Sequence, residues 1–337
     1  MTNSPLLAID DLTVGLRTSR GIARALSRVT LTAARGEFVG VVGESGCGKT
    51  TLALAVLGLL PSNASLHGTV RLDGDDLLAL TDRDIRPVRG GRIGYVPQDP
   101  LTALDPTFPV GHQIAETIRA HRKISRREAR DVALQLMNKV GMPDAERFSR
   151  EAPHVLSGGM RQRVAIAIAL ANAPDLIIAD EPTTALDATV QQQILGLLAE
   201  LAAENGTAVV LISHDLTVVS QLCDRVAVLY AGRIVELGPV RTVFDDPRHP
   251  YTRALLRSMP SAGVARGGLE VIPGEVPDLV EPGTPCPFAP RCGDHTERCD
   301  TDQPLREISA GRAAACHLAS DETTEAPAPL TGESRAT

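Results

Sequence analysis

The run EFVGVVGESGCGKTTLALAVLGLL, residues 37–60, constrains this chain more than any other stretch. An apolar, β-branched segment (37–43) leads into GESGCGKT (43–50), and an apolar helix-like segment (50–60) follows. The octet fits the pattern G-x-x-x-x-G-K-S/T through Gly43, Gly48, Lys49 and Thr50. Glycines let backbone N–H groups turn inward around phosphate oxygens, and a helix N-terminus adds positive potential. Gly43, Glu44, Ser45, Gly46, Cys47, Gly48, Lys49, Thr50 and Thr51 are therefore the expected cradle for a nucleotide's phosphates. Lys49 is expected at the β and γ phosphates and Thr50 on Mg2+. A chance glycine-rich turn would need neither the strand before it nor the helix after it.

The same alternation of strand-like and helix-like runs continues to about residue 235, which predicts a parallel α/β sheet. Strands are expected at 37–43, 92–98, 175–180, 208–214 and 226–232. Helices are expected at 50–60, 112–140, 159–172, 189–204 and 215–223. Three further motifs fall between these elements. LIIADEP (176–182) is a buried strand ending in two carboxylates, with Asp180 suited to the Mg2+ shell and Glu181 to polarising an attacking water. LSGGMRQR (156–163) offers a Ser157 cap and exposed N–H groups at Gly158 and Gly159, a second anion site. One nucleotide does not obviously need both sites, so the second is expected to face another subunit. His214 ends an apolar strand at the sheet edge where ligands bind in such folds.

Composition bounds the rest. The 337 residues suffice for one large domain and a smaller one. The net charge of -7 argues against nucleic acid as the main partner. No apolar run approaches the roughly 18 residues of a membrane span, and no secretory signal is evident at the N-terminus. A cytosolic setting is expected, where disulfides rarely persist. After Gly238 the chain becomes rich in proline and holds four of its six cysteines, which reads as a small appendage away from the chemistry. Cys286, Cys292, Cys299 and Cys316 lack the C-x2-C knuckles common at structural zinc. Disulfides, zinc with help from His295 or His317, a 4Fe–4S cluster and unliganded thiols all stay open.

GESGCGKTT, Gln98 after a strand, LSGGM, LIIADEPTTALD and ISHD stand in the order that resembles the nucleotide-binding domain of ABC transporters. QDPLTALDPTFPVGHQI (98–114), HPYTRALLRSMP (249–260) and the cysteine-rich end resemble, more narrowly, the ATP-binding subunits of oligopeptide and dipeptide importers. The resemblance implies an ABC-type P-loop NTPase domain over 1–238, with a RecA-like core, an antiparallel β subdomain and a helical subdomain near 98–165. A Cys/Pro-rich C-terminal domain (239–318) and a disordered tail (319–337) complete it. It implies that Gln98 touches Mg2+ and the attacking water, that Glu181 is the catalytic base and that His214 contacts the γ-phosphate. Ser157, Gly158 and Gly159 would contact the partner's ATP, and Asp187 falls in the D-loop. Some members of the branch carry a 4Fe–4S cluster in this C-terminal region.

The implied assembly is a pair of ATP-binding subunits, here two non-identical ones, with two transmembrane permease subunits and, indirectly, an extracytoplasmic solute-binding protein. Its place would be the cytoplasmic face of the membrane. Di- and oligopeptides lead as solutes; nickel chelates, a non-transport ABC ATPase, or a regulatory protein with a silent ATP site are the alternatives. Two departures stand out. Met160 replaces the family's usual glutamine, and residues 1–37 hold no aromatic residue to stack on adenine. By position Arg20 is the candidate replacement, through its planar guanidinium.

Overall fold

Branched and small apolar residues build the central strands of this chain. The structure is a computed structural model, which describes residues 4–183, 187–258, 272–280 and 285–319. Strand β3 (Phe38–Val42) lies between β8 (Ala208–Ile212) and β9 (Arg225–Tyr230), and pairs in parallel with both. Beyond β8 come β7 (Leu176–Asp180) and β6 (Ile93–Val96), again parallel. Every residue of β7 and β8 is buried, as strands covered on both faces must be. Each of the five expected strands is therefore present, within a residue or two of its expected ends.

A second sheet is antiparallel. Its members are β1 (Leu7–Thr18), β2 (Gly21–Ala33), β4 (Ala64–Leu72) and the short β5 (Asp75–Asp76), in the order β2-β1-β4-β5. The residue pattern locates none of these strands individually. The reason is visible in the register: β1 slips against β2 three times between Ile9 and Gly15, which breaks the period-2 alternation.

The expected helix 112–140 is two helices, Val110–His121 and Arg126–Lys139. The break is a capping box. Ser125 accepts from the Glu128 N–H, and the Glu128 carboxylate accepts from the Ser125 N–H. The other expected helices appear as Lys49–Val56, Gly158–Leu170, Ala188–Asn205 and Leu216–Leu222. No helix among the described residues is long and apolar enough to cross a membrane.

The C-terminal segment continues the main sheet. After β10 (Arg233–Pro239), which is antiparallel to β9, the edge is extended by β12 (Arg312–Ala314) and β11 (Arg306–Ser309). The pairing is supported by a buried ionic knot. Glu236 is 0% exposed and accepts from the N–H groups of Arg248 and His249 and from the Arg312 guanidinium at 3.0 Å. Removing one partner of such a pair strands the other charge in the core, so Arg312→Met is expected to lose about 3–5 kcal/mol in denaturant unfolding. Adding Glu236→Gln to that variant should recover part of the loss; no recovery would show that the charge pair is not what holds this edge.

Candidate active site

The loop after β3 is shaped by close contacts that exclude side chains. Gly43 has φ 153°, and a Cβ there would stand 2.1 Å from the Leu229 carbonyl oxygen. Gly48 has φ 109°, and a Cβ there would stand 2.6 Å from the Ala25 oxygen. The loop therefore curls around Lys49. Its ammonium donates to the carbonyl oxygens of Gly43 (2.8 Å) and Glu44 (3.0 Å). An anion entering the loop would replace these carbonyls as the lysine's partner. Cys47 is fully buried in the same turn, and burial pushes its thiol up, so it is a packing residue rather than a nucleophile.

Asp180, at the end of β7, is 1% exposed. Its Oδ1 has no hydrogen-bond partner, and the Tyr95 hydroxyl lies 3.5 Å from Oδ2. Burial pushes the Asp180 carboxyl above the ordinary carboxylate range, opposed by the facing Thr50 hydroxyl and raised further by the charge of Glu181. Tyr95, buried beside that carboxylate, is pushed up to about 12. An orphaned buried carboxylate oxygen opposite a hydroxyl is the donor set that a hard divalent cation takes, so the residues present fit Mg2+.

Glu181 follows with φ 45°, a left-handed conformation that costs a non-glycine residue on the order of 1–2 kcal/mol. Its N–H donates to the Ile212 oxygen at 2.9 Å, which continues the β7–β8 ladder through the turn. Its Oε2 accepts from Gln98 Nε2 at 3.0 Å and lies 3.2 Å from His214 Nδ1. Three residues drawn from the ends of β6, β7 and β8 thus meet at one carboxylate oxygen. The Glu181 side chain is 16% exposed and that of His214 is 64% exposed, so a water can reach the pair from the open side.

The second anion-type loop lies elsewhere. The Ser157 side chain caps the Gly158 helix by accepting from the Met160 N–H at 3.3 Å. Gly159 packs so closely on Val190 that a Cβ would stand 2.9 Å from Val190 Cγ1. Asp187 in turn caps the Ala188 helix through the Val190 N–H at 3.0 Å. Residues 184–186 of the TTALD stretch, 259–260 of HPYTRALLRSMP and 320–337 of the tail lie outside the described residues. Among the described residues no hydrogen bond joins Ser157, Gly158 or Gly159 to the 43–51 loop.

The structure corrects the picture of a C-terminal appendage remote from the chemistry. Arg291 forks onto Glu44 at 2.8 and 3.0 Å, and the Tyr251 hydroxyl accepts from the Glu44 N–H at 2.9 Å. These partners lie 247 and 207 residues away in sequence, and no local pattern announces them. Arg20, the candidate adenine platform, is paired with Asp278 of the C-terminal segment at 2.9 Å. Cys286, Cys292, Cys299 and Cys316 line one small cavity, together with His249, Asp294 and His317. His295 faces Asp300 instead. None of the six cysteines is disulfide-bonded, and burial pushes the thiols of Cys286, Cys292 and Cys316 up. Four thiols on one cavity are the right donors for a thiolate-held centre. Among the described residues, however, no three His, Cys, Asp or Glu side chains stand ready as a metal-ion ligand set.

The chain is similar to known proteins. Residues 26–184 match the ABC transporter family, and residues 235–299 match the oligopeptide/dipeptide transporter C-terminal region. A probable peptide ABC transporter ATP-binding protein, y4tR of Sinorhizobium fredii, is 48% identical over 92% of this chain and 94% of its own length. The oligopeptide transport ATP-binding protein OppD of Salmonella typhimurium is 43% identical over 92% of this chain and 93% of its own. Among solved structures, the ATP-binding cassette MJ0796, a dimer in a post-hydrolysis state bound to ADP and Pi, is 32% identical with a TM-score of 0.63. That match covers 70% of this chain and 99% of the cassette. The P-loop, the paired acids at the end of β7 and these likenesses together make the chain an ATPase of the ABC transporter family, in the group that carries the oligopeptide/dipeptide transporter C-terminal region.

Proposed function

We propose that the chain powers the import of di- and oligopeptides as an ATP-hydrolysing subunit of a membrane transporter. The observation that carries the hydrolytic part is the meeting of Gln98, Glu181 and His214 at Glu181 Oε2. In this reading residues 43–51 wrap the phosphates, and Lys49 exchanges its carbonyl partners for the β and γ oxygens. Thr50, Asp180 and Gln98 would hold Mg2+, which would supply positive charge to offset that of the phosphates. Glu181 takes the proton of the attacking water, Gln98 orients that water, and His214 holds the γ-phosphate.

Ser157, Gly158 and Gly159 would meet the ATP of a second subunit, with Asp187 beside them at the interface. Closure of two such subunits on two nucleotides, and opening after hydrolysis, would move a pair of permease subunits. The partner is proposed to be a non-identical ATP-binding subunit, seated with this chain on the cytoplasmic face of the membrane and served by a solute-binding protein outside. The peptide substrate is supported by the names and high coverage of the relatives. The nucleotide-binding domain is proposed to span 1–238, with the helical part at 98–165, and the C-terminal domain 239–318. The cysteine quartet is proposed to hold a 4Fe–4S cluster, with zinc as the competing occupant; its role would be to tie together a small proline-rich segment.

Glu181→Gln is expected to reduce ATP hydrolysis at least about 100-fold while ATP binding persists and a closed dimer accumulates on sizing columns. Normal turnover in that variant would remove Glu181 from the mechanism. Anaerobic purification followed by iron, sulfide and zinc analysis should find about four irons per chain. One zinc instead, or no metal, would overturn the cluster. A strain lacking this chain should fail to grow on dipeptides as its source of amino acids, and unimpaired uptake would exclude peptides as the solute.

A further inference from the structure

We propose that Arg291 of the C-terminal segment is a positioning residue of the nucleotide site, neutralising Glu44 so that the phosphate loop can accept a triphosphate. The inference rests on the reading of residues 43–51 as the ATP site. Glu44 is the one acidic residue in that loop. Alone, its carboxylate would add negative charge to the loop and disfavour an incoming phosphate. The Glu44 side chain is 25% exposed and that of Arg291 only 4% exposed, so water screens their pairing weakly.

The geometry is that of a built contact rather than a surface encounter. Both guanidinium NH2 groups reach the two carboxylate oxygens, the bidentate form that fixes direction as well as distance. The remaining donor capacity of Arg291 is also engaged. Nε donates to the Pro273 oxygen at 2.8 Å, and the fork also reaches the Tyr230 hydroxyl and the Ile272 oxygen, each at 3.2 Å. The Tyr251 hydroxyl takes the Glu44 N–H, so both the charge and the backbone of that loop residue are set from the C-terminal segment. The loop of a cassette without this segment would have to satisfy the same acid another way.

The test is a double-mutant cycle read as ATP affinity, using a fluorescent ATP analogue and the full chain. Arg291→Met is expected to weaken binding about tenfold, because it leaves Glu44 uncompensated beside the phosphates. In a Glu44→Gln background the same substitution should change affinity less than about threefold, since no charge remains to neutralise. Arg291→Lys should keep more than half of the affinity lost in Arg291→Met. If Arg291→Met weakens binding equally in the wild-type and Glu44→Gln backgrounds, the residue acts by packing alone and the proposal falls. If Arg291→Met does not fold, Arg291→Lys and the Arg291→Met, Glu44→Gln pair are each compared with the wild type; affinity within about threefold of wild type in both supports charge compensation, and a loss of about tenfold in the pair, which leaves no unpaired acid, overturns it. Lys49→Ala separates the two readings. Wild-type ATP binding in Lys49→Ala removes the site itself, whereas loss there with an additive Arg291–Glu44 cycle removes only the role of Arg291.

Discussion

The path of the phosphate loop is set by two backbone carbonyls. Leu229 of β9 and Ala25 of β2 approach Gly43 and Gly48 so closely that no Cβ fits at either position. The loop is thus clamped between the large sheet and the antiparallel sheet, with a buried apolar cluster from both sheets beneath it. Everything chemical in the molecule is arranged relative to that clamp. Strand order does the rest, because β3 has β8 beside it and β7 and β6 beyond, so the C-terminal ends of those strands fall along one edge.

At that edge the fold holds a residue in a conformation it would not adopt alone. Glu181 sits at φ 45°, and the Ile212 carbonyl that receives its N–H keeps it there. Strain of this kind persists only where neighbouring structure over-determines the backbone. The buried Asp180 before it, with an oxygen lacking any partner, is the second place where stability is given up. Both are explicable as preorganisation under the proposed roles of Asp180 as a cation ligand and Glu181 as the base for a water.

The C-terminal segment belongs to the same architecture. Tyr230, Tyr251 and Phe288 pack in tilted and edge-to-face pairs with ring centroids 4.5 to 5.4 Å apart, in a chain with no tryptophan and only eight tyrosine and phenylalanine residues. That cluster joins β9, the helix Pro250–Arg257 and the start of the cysteine-rich stretch into one core with Val42, the last residue of β3. Phe288 and Arg291 lie on either side of a short turn, one packing on the two tyrosines and the other pairing with Glu44. The expectation of a separate appendage came from composition, which registers proline and cysteine content but not which surface those residues cover.

Much of the site was legible beforehand because its parts are local. A G-x-x-x-x-G-K-T turn needs only its own glycines, its lysine and the helix that follows, and β7 needs only an apolar run ending in two acids. Parallel strands buried on both faces also read plainly as apolar runs, and the antiparallel strands did not because register slips scramble their alternation. The capping box at Ser125 lay in plain view, but the apolar periodicity on either side of it obscured the break. By itself the sequence determined the α/β class, the phosphate loop, the paired acids and the cap at Ser157. Only the tertiary structure decided that Gln98 and His214 share one oxygen of Glu181, that Arg20 is tied to Asp278, and that Arg291 reaches Glu44. Those contacts join residues far apart along the chain, and their geometry follows from strand order and core packing, which no short window of sequence contains.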